Sequence, residues 1–286
     1  MTFIYFNFFR NMGLLDGKVA IVTGAARGIG KAIALKFASE GASVAFTDLV
    51  IDENAQQTEK EIAALGVQAK GYASNAANFE DTAKVVEQIH KDFGRIDILV
   101  NNAGILPKFK RFDRYDMDEI EKAININFYS CVYSIKALLP MLMKSSDPGI
   151  INIDSSAALM SLAGTSMYSA SKAALKGFTE SLREEFRGKV YVGLVCPGFT
   201  KTDIFRDQKN DGGKGQKVIN MISTDCDLMV KLIMFGIEHK QALQIHGVDA
   251  HAMNIFGKLL PVNGSRLFSA VMKAADIDLF SEVFKD

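Results

Sequence analysis

The chain has 286 residues, enough for one large domain or for a domain with a short appendage. Lys plus Arg and Asp plus Glu are equal at 33 each, so no bulk positive charge favours nucleic acid, and the composition indicates small molecules or other copies of the chain as partners. The three cysteines, Cys131, Cys196 and Cys226, form no C-x-x-C pair, which argues against disulfides and structural zinc and predicts a reducing, cytoplasmic location.

The first twelve residues, MTFIYFNFFRNM, are rich in aromatic side chains. They lack the basic start, apolar run and cleavage site of a signal peptide, and they are far shorter than the ~20 apolar residues that span a bilayer. We interpret residues 1–12 as an N-terminal extension, with Met12 as an alternative start and membrane contact as the less favoured interpretation.

From Lys18 onward, short runs rich in Val and Ile alternate with segments of helical period, as in repeated β-α-β units. The predicted strands are KVAIV, SVAFT, QAKGY, IDILV, GIINI and VYVGLV. The predicted helices lie near residues 29–40, 54–65, 79–93, 118–143, 168–187 and 227–238. The pattern predicts an α/β fold, a Rossmann-type doubly wound parallel sheet, with one catalytic domain over 13–248 and a C-terminal helical extension over 249–286. After Pro197 the alternation weakens, and DQKNDGGKGQK is predicted to be a mobile loop.

The first strand is followed at once by a glycine-rich turn, TGAARGIG, that leads into a helix. Glycine permits a tight turn and a close approach of backbone N–H groups to a pyrophosphate, and the helix N-terminus adds partial positive charge. An aspartate follows about 20 residues later, at the end of the second strand, where a carboxylate can bind ribose hydroxyls. The predicted dinucleotide contacts in this half of the site are Gly24, Arg27, Gly28, Ile29, Gly30 and Asp48.

Two of these residues bear on which dinucleotide binds. Asp48 would repel the 2′-phosphate of NADP, at a cost of roughly 1 to 4 kcal/mol for like charges a few Å apart. Arg27 could attract that phosphate, but it could equally bind the pyrophosphate or face solvent. We therefore predict NAD, with NADP as the less favoured cofactor.

Further motifs follow the later strands in order. NNAG follows the fourth strand, ININF places Asn127 in the long fourth helix, Ser155 ends the fifth strand, YSASK supplies Tyr168 and Lys172, and PGFTKT follows the sixth strand. With the TGxxxGxG spacing of the turn, they resemble the short-chain dehydrogenases/reductases in their single-domain form. The resemblance covers nearly all of residues 17–202.

The resemblance implies hydride transfer between C4 of NAD(P) and a carbonyl or secondary alcohol. By this analogy Tyr168 is the acid/base, and Lys172 stabilises its phenolate and binds the nicotinamide ribose. Ser155 orients the substrate oxygen, and Asn127 holds a water in a proton relay. The remaining implied cofactor contacts are Asn102, Thr200 and Thr202 on the nicotinamide half, and Asn75 beside the adenine, where many relatives carry Asp.

The positions of Tyr168 and Lys172 on their helix also bear on whether the pair is catalytic. On a helix Lys172 lies about 40° from Tyr168, so both continue an apolar stripe. A lysine there is costly unless its ammonium has a partner or snorkels to water. A free tyrosine has a pKa of about 10, so an ammonium that stabilises the phenolate has a chemical use near neutral pH. A snorkelling lysine beside a core tyrosine is the alternative.

The choice among six serines in residues 153–176 rests on spacing. Ser155 lies three residues after Asn152 and thirteen before Tyr168, as in the family. Ser156 is a plausible helper. The helix start and its flanks account for Ser166, Ser169 and Ser171.

Other candidates are weaker. His246 and His251 lack a metal-binding context, so no metal is predicted. The GGKG segment lacks the P-loop spacing. Met160 and Met167 flank the expected substrate side, where sulfur-rich walls suit an apolar, irregular substrate as well as they fill a core.

The C-terminal extension holds a short amphipathic segment, with Leu267, Val271 and Ala274 at helical spacing. Oligomer packing is the favoured role, followed by a cover over the substrate cleft and then by membrane or partner contact.

The sequence as a whole predicts a homodimeric or homotetrameric NAD-dependent dehydrogenase/ketone reductase for an apolar secondary alcohol, such as a hydroxysteroid or lipid-like alcohol. The alternatives are a redox-neutral epimerase or dehydratase and a non-catalytic NAD-sensing protein.

Overall fold

The computed structural model describes residues 13–202, 204, 220–274 and 280–284, so the interpretations of residues 1–12 and of the Gly-rich segment 207–217 lie outside the described residues. The described part contains a seven-stranded parallel sheet in the order β3-β2-β1-β4-β5-β6-β7. The strands are β1 (Val19–Thr23), β2 (Ser43–Asp48), β3 (Ala69–Ala73), β4 (Ile98–Asn101), β5 (Gly149–Ile153), β6 (Tyr191–Pro197) and β7 (Leu243–His246).

Helices cover both faces of the sheet. They are α1 (Gly28–Ser39), α2 (Glu53–Ala63), α3 (Phe79–Phe93), α4 (Met117–Ile124), α5 (Ser130–Leu142), α6 (Ser166–Glu185), α7 (Cys226–Glu238), α8 (Val248–Leu259), α9 (Asn263–Ala274) and α10 (Ser281–Phe284). One core layer joins the sheet to α1, α2 and α7, and the other joins it to α3, α5 and α6. Central strands buried on both faces explain the continuous Val and Ile runs, and the predicted doubly wound α/β fold is confirmed.

Local signals place several helix ends. The side chains of Asp52, Asn78 and Asp116 accept backbone N–H bonds at the starts of α2, α3 and α4, and Asp116 forms a capping box with Glu119. Helix α3 ends at Gly94, whose φ of 76° lies in the left-handed region that glycine adopts without strain.

The predicted helix over residues 118–143 is present, but it is not α-helical throughout. A π-helical segment, Asn125–Tyr129, separates α4 from α5. Such segments are rare and frequently lie at functional sites, because the wider turn redirects a side chain. No residue type in the ININF segment predicts the change from α-helical to π-helical turns.

Strand β7 was missed. It has four residues at the sheet edge, and its first side chain, Leu243, is 38% exposed. A short strand at a sheet edge does not need a continuous apolar run. The hydrophobic periodicity of the sequence therefore did not predict β7.

A third apolar cluster lies on the segments that follow the strands. Phe109 comes from the segment after β4, Met160 and Leu162 come after β5, and Met253 comes from α8. Phe280 and Val283 complete this cluster from the C-terminal segment. The extension therefore packs against the carboxyl-edge segments of the sheet.

Candidate active site

A cavity lies beyond the carboxyl ends of β4, β5 and β6, next to the point between β1 and β4 where the strand order reverses. This is where open α/β sheets bind ligands. Seven of the predicted site residues line it: Ile29, Asn102, Ser155, Tyr168, Lys172, Thr200 and Thr202. The structure thus brings together residues from five separate segments of the chain.

Tyr168 and Lys172 lie on the inner face of α6, one turn apart. Their exposed fractions are 9% and 4%. The Lys172 ammonium donates a hydrogen bond to the Ile153 carbonyl, with an Nζ–O distance of 3.0 Å. Because the ammonium is buried and partnered, the snorkelling alternative is wrong, and the positive charge stays beside the cavity.

Ser155 follows the end of β5 and lines the same cavity. Its backbone is extended, and its Oγ accepts a hydrogen bond from the Ala157 N–H at 3.1 Å. Since that bond uses a lone pair of the oxygen, the hydroxyl hydrogen stays available for an acceptor in the cavity. Ser156 also lines the cavity, and its carbonyl accepts the N–H of Leu159 at 2.9 Å.

Asn127 lies one layer behind the cavity, in the π-helical segment, and is fully buried. Its amide donates to the Ile105 carbonyl at 3.0 Å and to Ser171 Oγ at 3.1 Å, and its Oδ1 accepts the Ile105 N–H at 2.8 Å. Ser171 in turn donates to the Tyr168 carbonyl at 2.7 Å. Asn127 therefore ties the segment after β4 to the helix that carries Tyr168, and its role in a water relay stays a prediction.

Ser171 was assigned to the helix flank and its contact with Asn127 was missed. Its position three residues after Tyr168 places it on a neighbouring part of the same helix. That spacing is the signal in the sequence, but the partner is contributed by a different helix.

The glycine turn has the geometry that an approaching anion needs. Gly24 and Gly28 have φ angles of 62° and 60°, which other residues rarely adopt. A Cβ on Gly30 would collide with the Gly24 carbonyl and the Asn102 amide. The Asn102 amide donates to the Thr23 and Gly24 carbonyls at 3.0 and 2.9 Å, so it braces the turn as well as lining the cavity.

The start of α1 fits a phosphate group. Its N-cap residue, Arg27, makes no side-chain cap in the described part of the chain, so the first N–H groups of the helix keep their partial positive charge. A Cβ added to Gly28 would lie 3.8 Å from the Thr202 side chain, so the turn faces the segment after β6. These residues fit a dinucleotide laid across the carboxyl ends of the strands.

The adenine-side residues lie outside the cavity, at the ends of β2 and β3. Asp48 accepts the Ala26 N–H at 3.0 Å, so its carboxylate is held against the glycine turn. Asn75 follows β3, and its Oδ1 accepts the Ala77 N–H at 3.1 Å. Arg27 pairs with Asp52 at 3.2 Å and is therefore tied to the start of α2.

Comparisons with known proteins agree with this geometry. The family model for short chain dehydrogenases matches residues 18–212. The chain belongs to the short-chain dehydrogenases.

Members of this family that resemble the chain include SadH of Mycobacterium tuberculosis, an oxidoreductase by its assigned name, which is 32% identical over 91% of this chain and 96% of its own. The 3-oxoacyl-[acyl-carrier-protein] reductase FabG of Vibrio cholerae is 41% identical over 66% of this chain and 76% of its own. The crystal structure of a short chain dehydrogenase from Burkholderia cenocepacia in complex with NADP is 31% identical, with a TM-score of 0.74 over 81% of this chain and 96% of its own. The chain is thus an oxidoreductase of a family that uses NAD(P).

Asp154 is a further functional candidate in this short-chain dehydrogenase. No motif in the sequence predicted it. It lines the cavity between Ile153 and Ser155 and is 3% exposed. Neither carboxyl oxygen has a hydrogen-bond partner among the described residues. Burial raises the pKa of Asp154 to about 8, and the nearby Lys172 ammonium offsets this only in part.

This buried carboxyl predicts an unusual dependence of stability on pH. The unfolded state loses the proton near pH 4, whereas the folded state holds it to about pH 8. The folded state therefore binds more protons in this window, so this group makes the free energy of unfolding fall as pH rises from about 4 to 8. Asp154→Asn is expected to remove this contribution, so its gain in stability over the wild-type protein should be larger at pH 8 than at pH 5, by on the order of a few kcal/mol. Urea unfolding at both pH values measures the difference.

The exposed Asp147 supplies a control. Its pKa is held below the usual range by a hydrogen bond from Lys240, so Asp147→Asn has no reason to gain stability between pH 5 and 8. Parallel stability curves for the wild-type protein and Asp154→Asn across this range would show that the carboxyl titrates normally.

The residues of the cavity's apolar wall were not predicted. Phe109, Leu162 and Met253 line it, whereas neither Met160 nor Met167, which were expected on the substrate side, is a lining residue. Asp249 accepts the N–H of Phe199, another lining residue, at 2.7 Å, and so ties the start of α8 to the end of β6. These contacts join residues far apart in sequence, which is why local patterns did not reveal them.

His246, one of the two histidines considered as metal ligands, lies beside Gln244 of the same strand. His246 Nε2 lies 3.1 Å from Gln244 Oε1, and burial lowers the pKa of His246. In the described ranges, no three His, Cys, Asp or Glu side chains are grouped closely enough to hold a metal ion.

Proposed function

We propose that the chain interconverts an apolar secondary alcohol and its ketone with NAD as cofactor. The observation that carries this proposal is one cavity that joins Ser155, Tyr168 and the buried Lys172 to both the glycine turn and an apolar wall. A hydroxysteroid or another lipid-like alcohol is the substrate class that suits such a wall.

The chain's own groups account for the proton transfer. A dinucleotide held by the glycine turn, Asp48 and Asn102 would supply the hydride acceptor or donor. Tyr168 takes the alcohol proton during oxidation and returns it during reduction. The Lys172 ammonium, fixed by the Ile153 carbonyl, stabilises the phenolate that accepts the proton during oxidation and that is left after reduction. Ser155 donates its hydroxyl hydrogen to the substrate oxygen and so fixes the reacting carbon.

The choice of NAD rests on residues beside the ribose end of the turn. The Asp48 carboxylate is held within hydrogen-bond distance of the turn, where it can accept from a ribose 2′-hydroxyl and would repel a phosphate. Arg27, the residue that could have attracted the phosphate, is paired with Asp52. The B. cenocepacia relative holds NADP, so both cofactors must be compared directly.

The substrate class rests on the cavity wall and its support. Phe109, Leu162 and Met253 form the wall, and Phe280 and Val283 pack behind it from the C-terminal segment. We therefore assign the extension a covering role, in which it excludes water from the reacting groups. The FabG relatives act by name on 3-oxoacyl groups, which combine a ketone with an apolar chain.

A panel of alcohols and ketones tests the proposal. Hydroxysteroids, hydroxyacyl compounds of increasing chain length and sugar alcohols are assayed with NAD and NADP through the absorbance of the reduced nicotinamide. We expect kcat/KM to rise with apolar length, by up to about tenfold for each well-buried methylene or two, and to be higher with NAD. Tyr168→Phe provides the background rate.

Three results would contradict the proposal. Cofactor binding without any absorbance change would favour the NAD-sensing alternative, and conversion without net redox change would favour the epimerase or dehydratase. A preference for sugar alcohols would reject the apolar substrate class.

A further inference from the structure

Helices α8 and α9 turn large apolar side chains towards solvent. The exposed set is Val248, Ile255, Phe256, Leu259, Leu260, Val262, Leu267 and Val271, which we call the hairpin face. Val248, Leu259 and Val262 are 82%, 74% and 81% exposed. Contiguous exposed apolar patches on a protein surface usually mark an interaction site.

The hairpin face is ordered along α8. Val248, Ile255 and Leu259 lie within about 40° of one another around the helix, so they form one stripe. Met253, on the inner side of the same helix, is 3% exposed and lines the cavity. One side of α8 therefore serves the active site and the other side is unpartnered in the described structure.

Helix α9 continues the face after the turn at Leu260–Val262. Leu267 and Val271, which the sequence placed in an amphipathic segment, lie on its outer side at 52% and 51% exposure. The inner side packs Phe268 and Met272 against the third apolar cluster. The amphipathic helix was correctly predicted, and the structure shows that its Leu267–Val271 stripe points away from the protein.

The exposed Lys, Arg, Asp and Glu side chains on α8 and α9 all carry positive charge. Lys258, Arg266 and Lys273 are exposed on α8 and α9, whereas Asp249, the acidic residue of these helices, is partly buried and accepts the N–H of Phe199. The chain as a whole has no net charge, so this local excess is a property of the hairpin. Apolar side chains flanked by Lys and Arg are typical of helices that lie in the interface of an anionic bilayer.

The same charges argue against a second copy as the occupant. A two-fold interface would bring the same basic residues of both copies to one surface. Among the described residues, no helix is long and apolar enough to cross a bilayer.

We propose that the hairpin face binds the surface of an anionic membrane, with α8 and α9 lying in the headgroup region. The proposal does not rest on the proposed reaction. Met253 of α8 lines the cavity. When α8 is bound to the membrane, the cavity therefore lies on the side of this helix that faces away from the membrane.

Vesicle co-sedimentation of the full chain tests this proposal. We expect binding to vesicles that mix phosphatidylserine with phosphatidylcholine, weaker binding to phosphatidylcholine alone, and loss of binding at high salt. The double variant Leu259→Glu, Val262→Glu is expected to lower the partition coefficient at least about tenfold. Lys258→Gln, Arg266→Gln, Lys273→Gln is expected to lose the preference for phosphatidylserine.

The double variant Leu65→Glu, Met143→Glu is the matched control, because both side chains are exposed and apolar but lie elsewhere. It should bind vesicles as the wild-type protein does. Thermal melting and NAD binding confirm that each variant is folded. Absence of vesicle binding, or equal losses in the control, would overturn the proposal. So would sedimentation velocity showing that the Leu259, Val262 variant dissociates an oligomer while vesicle binding is unchanged, since the face would then join two copies.

Discussion

Tyr168→Phe is expected to abolish turnover, with a loss in kcat of roughly 10² to 10⁴ or more, while the affinity for NAD stays nearly unchanged. The substitution removes one oxygen and keeps the ring that fills the inner face of α6, where Tyr168 is 9% exposed. Without that oxygen the side chain at position 168 has no group that can take the alcohol proton. Steady-state rates with the best substrate of the panel and a fluorescence titration with NADH measure the two quantities.

Tyr191→Phe is a suitable control for the tyrosine change. Its hydroxyl donates to the Gln241 carbonyl at 2.9 Å, at the edge of β6 and outside the cavity. It should keep wild-type kcat and the same NADH affinity. Retained activity in Tyr168→Phe would refute the acid/base role, and loss of NADH binding in that variant would show that the change disturbs the cofactor site.

The second large effect is expected from Ser155→Ala. Loss of a hydrogen-bond donor to the substrate oxygen should lower kcat by roughly 10² to 10³, since the transition state gains most from that bond. Ser156→Ala should stay within a few-fold of the wild-type rate. Both serines line the cavity, so proximity alone does not separate them.

For the two serine variants, a comparison of the changes in kcat and KM separates an effect on the transition state from an effect on substrate binding. A fall in kcat with little change in KM in Ser155→Ala indicates an interaction made in the transition state. Equal losses in the two variants would mean that the cavity needs both hydroxyls, and a larger loss in Ser156→Ala would move the assignment by one residue. The Ser155 hydroxyl also accepts the Ala157 N–H, so melting temperatures must be compared as well.

Much of this site could be predicted because its parts are local in sequence. The glycine turn, its strand and its helix are contiguous, and Gly24 and Gly28 need their residue type for their own backbone angles. Tyr168 and Lys172 share a helix face because four residues span about one turn. Order along the chain therefore determined the fold class and these two elements.

The missed features depend on contacts between distant segments. The π-helical segment at Asn127 is stabilised by Ile105 and Ser171, 22 positions before it and 44 after it. The raised pKa of Asp154 follows from the burial of its carboxyl group, which none of its neighbours in the sequence predicts. Met253 reaches the cavity because Asp249 ties the start of α8 to Phe199.

By itself the sequence predicted a doubly wound dinucleotide fold and its glycine turn, because these depend on short-range periodicity and on residue type at a strand end, whereas the choice of Ser155, Tyr168 and Lys172 came from the resemblance to the short-chain dehydrogenases. The tertiary structure decided that the Lys172 ammonium is buried, that Asp154 lies beside it without a hydrogen-bond partner, and that the C-terminal helices divide between a cavity wall and an exposed basic face. Burial and electrostatic environment are set by groups brought together from the whole chain, so they follow from packing and not from the local order of residues.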